Sequence, residues 1–222
     1  MWIVASPNLH VERKDLTPVS AFQKSMNMKS FEVEVKVPLE TSEDIRVSLL
    51  EIGGRLLHTE TQSDTYYNHP CKSFEDTDEA LRLRSRQMHP NTHRVIIDGE
   101  KPSFELTYKG PRIDPKSKTR LELSLVLEDP TSADSILQQL DFKKVAEVVK
   151  IRTFYDVEGT TVSIDDVQDV GLFLELERVV YDENKIDETR ESIFNILRKL
   201  GLDPSTATRT SYLELYLGSR ST

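Results

Sequence analysis

From residue 31 the chain alternates. Phe31, Val33, Val35 and Val37 are apolar, and Glu32, Glu34 and Lys36 stand between them. That is the period of a strand with one buried and one polar face. Residues 41–53 change to helical spacing. Thr41 can cap this helix, Asp44 takes the capping-box position, and Ile45, Leu49, Leu50 and Ile52 form a stripe that Gly53-Gly54 ends. Residues 55–68 read as extended and 70–79 as a polar turn. Alternation returns over 80–86, 103–109 and 119–128. Residues 87–102 read as an irregular hairpin, and 110–118 as a loop rich in turn formers and basic charge. A short helix over 129–140 would be capped by Thr131 or Ser132. Strands follow over 143–157, 161–165 and 172–180, the first two joined at Glu158-Gly159. An amphipathic helix over 184–200 carries Ile186, Ile193, Ile196, Leu197 and Leu200, and Gly201 and Pro204 end it. The last segment, 211–217, reads as a short helix, although SYLELYL also fits a strand.

Residues 1–27 show no sustained period. They read as a floppy extension, or as a start assigned too far upstream, leaving 28–218 as one domain. Many antiparallel strands with short turns and a few helices predict an α+β domain around a closed or nearly closed sheet.

Composition narrows the function classes. The 222 residues carry a formal charge of −9, which argues against a dedicated nucleic-acid binder. The lone Cys71 excludes an internal disulfide and fits a reducing cytosol. No apolar run approaches the ~20 residues of a membrane helix, and the N-terminus lacks a signal-peptide core. The expectation is a cytoplasmic protein, monomer or homodimer, with neither nucleic acid nor membrane as partner.

The polar face of each strand carries the chemistry. Glu32, Glu34, Glu122, Asp165, Glu175 and Glu177 supply six acids there, and Lys36, Arg82, Arg84, Lys109, Arg120, Lys150 and Arg152 supply seven bases. A single strand of this kind is ordinarily a solvated outer face. Ionised groups dominate all seven segments, however. If the sheet closes with helices outside, the charges point into a lumen, where they must be paired or must hold a ligand. A polyanion with a divalent cation suits such a lining. Arginine forks and lysines take phosphate oxygens, and one or two carboxylates take Mg²⁺.

On these residues the chain resembles the CYTH superfamily, the triphosphate tunnel metalloenzymes. Glu32-x-Glu34-x-Lys36 is its ExExK signature. Further matches run in order: Asp64-Thr-Tyr66, Arg82-x-Arg84, Lys109-Gly110-Pro111, Arg120-x-Glu122, Lys150-x-Arg152, Asp165 before Gly171, and Glu175-x-Glu177. The KGPR run at 109–112 and the ending Arg209-Thr-Ser-Tyr resemble the class IV adenylyl cyclase branch. The resemblance implies a tunnel of about eight antiparallel strands with helices packed outside, gripping a triphosphate such as ATP or tripolyphosphate. By position, Lys36, Arg82, Arg84, Lys109, Arg120, Lys150 and Arg152 would bind the triphosphate. Glu32, Glu34, Glu122, Asp165, Glu175 and Glu177 would hold Mg²⁺ or Mn²⁺, with Glu32, Glu34, Lys36 and Lys109 closest to the chemistry. The implied reaction is conversion of ATP to cyclic AMP and pyrophosphate. Hydrolysis of inorganic, thiamine or nucleoside triphosphate uses the same residues, and a non-catalytic polyphosphate sensor would keep the same tunnel. A module whose charges merely solvate its sheet is the rival of another class. No unique general base is assigned. The five histidines and Cys71 read as loop or surface residues, and Tyr66 and Tyr67 as packing.

Overall fold

The computed structural model describes residues 31–90, 101–112 and 120–220, the side chains of Arg112 and Arg120 excepted. The expected extension at 1–27 lies outside the described residues. The elements are β1 Phe31–Leu39, α1 Glu43–Glu51, β2 Arg55–Asn68, β3 Ala80–Met88, β4 Ser103–Arg112, β5 Arg120–Leu127, α2 Pro130–Gln139, β6 Lys143–Val157, β7 Thr160–Val167, β8 Gly171–Val180, α3 Ile186–Lys199 and α4 Tyr212–Ser219. The strands form one antiparallel sheet in the order β1-β8-β7-β6-β2-β3-β4-β5. It curls into a half-barrel, bearing out the expected α+β architecture. No described helix is long and apolar enough to cross a membrane.

Alternation explains the curl's two surfaces. The apolar residues of β1, β6, β7 and β8 pack outward against α1 and α3, with Val37, Leu49, Leu174, Leu176, Ile193 and Leu197 fully buried. A second cluster backs the other half of the sheet, where Tyr67, Leu81 and Leu83 meet Phe74 and Leu137 of α2. The charged residues are left on the concave side. The curl brings the two edges near one another: the charges of Lys109 on β4 and Glu122 on β5 bear on Glu32 of β1 in opposite senses, although β1 and β5 end the ladder at opposite edges.

Local chemistry accounts for the joints. Glu158 (φ 52°) and Gly159 (φ 74°) both take the left-handed backbone that a two-residue type I′ hairpin requires between β6 and β7. The α2 cap is Asp129, not Thr131 or Ser132. Its carboxylate accepts from both of their backbone amides, and Pro130 fills the first helical turn. The α1 cap position is Ser42, without a side-chain capping bond, while Thr41 donates to Asp44 at 3.3 Å. The last segment is helical because Ser211 and Glu214 complete a capping box.

The placement of α4 differs from that of the other helices. It lies on the concave side and stops one end of the trough. Tyr212, Leu215 and Tyr216 pack there on Val148, Val167, Phe173 and Tyr66. These strand residues share the charged face but are apolar, and so they accept a helix instead of solvent.

Leu197→Ala should lower stability by about 2–5 kcal/mol through loss of buried methyl groups and the cavity left behind. Urea denaturation followed by circular dichroism measures this.

Candidate active site

The concave wall is built around two buried carboxylates. Asp64 and Arg84 are register partners on β2 and β3. Arg84 forks onto Asp64 with Nε to Oδ1 at 2.5 Å and Nη2 to Oδ2 at 2.6 Å. Lys150 Nζ reaches the same carboxylate at 3.5 Å, and Arg82 Nε stands 4.0 Å away. Burial opposes ionisation of Asp64, but Arg84, Lys150 and Arg82 outweigh it and hold the carboxyl well below the ordinary value.

Asp165 does the same for β6, β7 and β8. Arg152 forks onto both its oxygens and donates to Glu175 at 2.8 Å. Tyr212 of α4 donates its hydroxyl to Asp165 Oδ2 at 2.6 Å. Burial first, then the Asp165 charge, pushes that phenol far above its usual range, so it stays a donor. Lys36 Nζ sits 4.1 Å from the Tyr212 ring centroid and donates to the Thr210 carbonyl at 2.5 Å. Lys150 Nζ lies 5.1 Å from the same ring. Tyr212 therefore joins the two halves of the cation wall.

Lys150 is 3% exposed. Desolvation, and next the Arg152 charge, lowers its pKa from 10.5 to about 7, with Asp64 opposing. The charged form of Lys150 is thus disfavoured in the absence of a further counter-charge, which a bound anion would supply.

Acids gather on the β1–β8 side. Glu34 and Glu177 are register partners, as are Lys36 and Glu175. Glu32 keeps contact with solvent in the trough. Partial desolvation, then Glu177 and Glu34, raises its pKa to about 7, while Lys109 pulls it down. Glu177 is raised by burial, then by Glu175 and Glu34. Glu32 and Glu177 are each raised in part by neighbouring carboxylates, and a hard cation would relieve that repulsion. Among the described residues, no three acidic or histidine side chains are close enough to be a ready cage. Mg²⁺ fits nonetheless, because it takes one or two carboxylates and completes its shell with phosphate oxygens and water.

The structure thus brings Lys36, Arg82, Arg84, Lys150 and Arg152 onto one concave face, with Glu34 and Glu177 beside Lys36 and Glu175 on β1 and β8, and Glu32 farther along β1. Asp165 and Glu175 are engaged with Arg152. Lys109 pairs with Glu122 at 2.9 Å, both partly exposed. Arg120 is register partner to Arg112 on the edge strand, and its side chain is not among those described.

Several wall residues escaped the sequence reading. Asp64 was a motif position without a role there, and Tyr212 was unassigned. Glu60, Gln62 and Arg86 also line the wall. Residues 60, 62, 64 and 66 alternate within the stretch read only as extended, and Arg86 continues the Arg82, Arg84 period. Reading that period would have found them.

Lys150→Met should stabilise the ligand-free protein. A base whose pKa falls on folding costs stability in full below the folded value of about 7, and the cost fades as pH rises toward 10.5. The gain, on the order of 1–4 kcal/mol, is expected to be larger at pH 6 than at pH 9 in urea denaturation. Asp165→Asn should instead destabilise by about 3–5 kcal/mol, since it leaves Arg152 under-compensated.

Comparison with known proteins agrees with this geometry. The CYTH domain family profile matches residues 30–212. A Methanocaldococcus jannaschii protein provisionally named an adenylate cyclase is 39% identical over 184 residues, covering 83% of this chain and 97% of the relative. Adenylate cyclase CyaB of Aeromonas hydrophila is 26% identical over 186 residues, 83% of this chain and 88% of its own. A solved Pyrococcus horikoshii structure superposes with a TM-score of 0.72 at 38% identity, covering 86% of this chain and all of its own. The family match spans both cation clusters and the β1 acids, and the chain belongs to the CYTH domain family.

Proposed function

We propose that this protein is a divalent-metal-dependent enzyme that binds a triphosphate in its trough and converts ATP to cyclic AMP and pyrophosphate. The observation that carries the reading is the cation wall of Lys36, Arg82, Arg84, Lys150 and Arg152, all but Arg82 buried, beside the mutually repelling Glu32, Glu34 and Glu177. A solvated sheet has no reason to bury Lys150 and Arg84, since desolvating charge is costly and exposed pairs contribute little. Two relatives carry adenylate cyclase names, which favours the cyclase over a hydrolase.

In this mechanism the guanidinium forks of Arg84 and Arg152, locked by Asp64 and Asp165, present donors in fixed directions to phosphate oxygens. Lys150 and Lys36 add positive charge at the end stopped by α4. Glu32, Glu34 and Glu177 would hold Mg²⁺ or Mn²⁺, which would neutralise charge on the phosphates. The ribose 3′-oxygen attacks the α-phosphorus. The O3′–P bond forms, the bond from the α-phosphorus to the α,β-bridging oxygen breaks, and pyrophosphate leaves with that oxygen. The hydroxyl proton passes to a carboxylate or to water. The residues act by positioning and charge stabilisation, the usual terms in phosphoryl transfer.

The test is incubation with ATP, GTP, thiamine triphosphate and tripolyphosphate, in Mg²⁺ and then Mn²⁺, with products separated by chromatography. Cyclic AMP with pyrophosphate is the expected result. Orthophosphate from any of the four would assign a triphosphatase instead, and absence of both turnover and binding would sink the site. Arg84→Ala and Glu34→Gln should each lower turnover by at least about 100-fold while the circular dichroism spectrum is retained. Normal activity in a folded Arg84→Ala protein would return the charges to the role of surface solvation.

A further inference from the structure

The trough wall continues past its phosphate-binding cations, and its chemistry changes there. Along β6, Val148 touches α4, Lys150 and Arg152 follow, and Phe154 is the next residue on that face. At roughly 3.3 Å per residue, Phe154 lies well away from the stopped end. Its register partner on β2 is His58. The two rings stack with centroids 4.5 Å apart and planes inclined by 29°. The Arg152 guanidinium carbon stands 5.7 Å from the Phe154 centroid. A column of planar groups therefore starts at a cation of the phosphate site and runs outward to His58, whose side chain is 31% exposed.

Inward of this column, level with Lys150 and Arg86, lies a buried acceptor. Gln62 is 2% exposed. Its Nε2 donates to Glu60 Oε1 at 2.5 Å, which fixes the orientation of the amide. Its Oε1 is then buried with no hydrogen-bond partner among the described residues. Glu60, itself buried, is held in turn by His58 Nε2 at 3.5 Å and Arg86 Nε at 3.9 Å, and Arg86 donates to Glu105 at 3.2 Å. Glu60 is thus braced by three neighbours and keeps the Gln62 amide in place.

Phosphate binding explains none of this. Phosphate oxygens are acceptors and gain nothing from a second acceptor such as Gln62 Oε1. A neutral, buried acceptor is matched by an N–H or O–H donor, and a stacked aromatic pair with an open outer ring is matched by another flat π system. The stacked pair stands one step out from Arg152, and Gln62 lies one step in, level with its register partners Lys150 and Arg86. A triphosphate whose terminal phosphate points toward α4 would carry its substituent past Gln62 to the pair. We infer that His58, Phe154 and Gln62 form a nucleoside compartment. A nucleobase extends the stack on His58, and a sugar hydroxyl donates to Gln62 Oε1. The inference rests on the triphosphate reading of the inner trough. It adds that these three residues set selectivity for a nucleoside triphosphate over an inorganic one.

Equilibrium titration in EDTA, where a metal-dependent site turns nothing over, separates the two readings. The ligands are ATP and tripolyphosphate, and the proteins are wild type, Phe154→Leu and His58→Ala. Wild type should bind ATP more tightly than tripolyphosphate, even though ATP carries less charge. Each variant should weaken ATP binding by at least about 10-fold, the scale of one lost base–aromatic stack, while tripolyphosphate affinity moves less than twofold. Retained tripolyphosphate binding also shows that the variant is folded. Wild-type protein that binds tripolyphosphate but prefers it to ATP, or an ATP to tripolyphosphate ratio unchanged in both variants, would overturn the compartment and leave the inner site standing. If EDTA abolishes binding of both ligands, the same titrations in Ca²⁺ decide, and failure of wild type to bind either ligand there would remove the triphosphate reading and this inference with it.

Discussion

Everything in this molecule depends on neutralising charge inside a curled sheet. Lys36, Asp64, Arg84, Lys150, Arg152 and Asp165 are all buried, and none could be carried there alone. Asp64 and Asp165 meet the requirement by each accepting an arginine fork and drawing further donors around it. The result is two rigid cation clusters whose directions are set before any ligand arrives. Such preorganisation is what makes electrostatic stabilisation effective, because little reorganisation remains when charge develops on a substrate.

The cost of this arrangement is visible in Lys150 and Glu32. Both have pKa values moved toward 7 in the direction that disfavours their charge, the lysine by burial and the glutamate by partial burial and neighbouring carboxylates. The resting protein is strained electrostatically in two opposite senses, across one trough. On the proposed reading a polyanion would relieve the first strain and a divalent cation the second, so the two would bind best together. The helical plug is part of the same balance, since Tyr212 supplies Asp165 with a donor and lays its ring against Lys36 and Lys150.

A gradient runs along the wall. At the α4 end the strands carry Val148, Val167 and Phe173, which seal it. In the middle stand the cations and their two organising aspartates. Beyond them come Phe154 and His58, while Gln62 and Glu60 stand level with Lys150 and Arg152, their register partners on β6. Each step uses the same alternation of side chains, so one strand, β6, contributes to the seal, the cation wall and the aromatic column in turn.

Much of this was legible in the chain. Period-two alternation determined that β1 through β8 each have an apolar and a charged side, because a one-residue slip would bury the charges against the helices. It also placed Glu32, Arg84, Lys150 and Glu175 on polar faces, and motif order was enough to suggest a tunnel. Only the tertiary structure decided which acid meets which base. Asp64 pairs with Arg84 and Lys150 because β2 lies between β3 and β6, a neighbour relation no local pattern encodes. Likewise Tyr212 reaches Asp165 across 47 positions, and α4 turns to the concave side because Val148, Val167 and Phe173 are apolar there. Local periodicity fixes the side on which a residue stands, whereas its partner is set by strand order and curl, which depend on the whole chain at once.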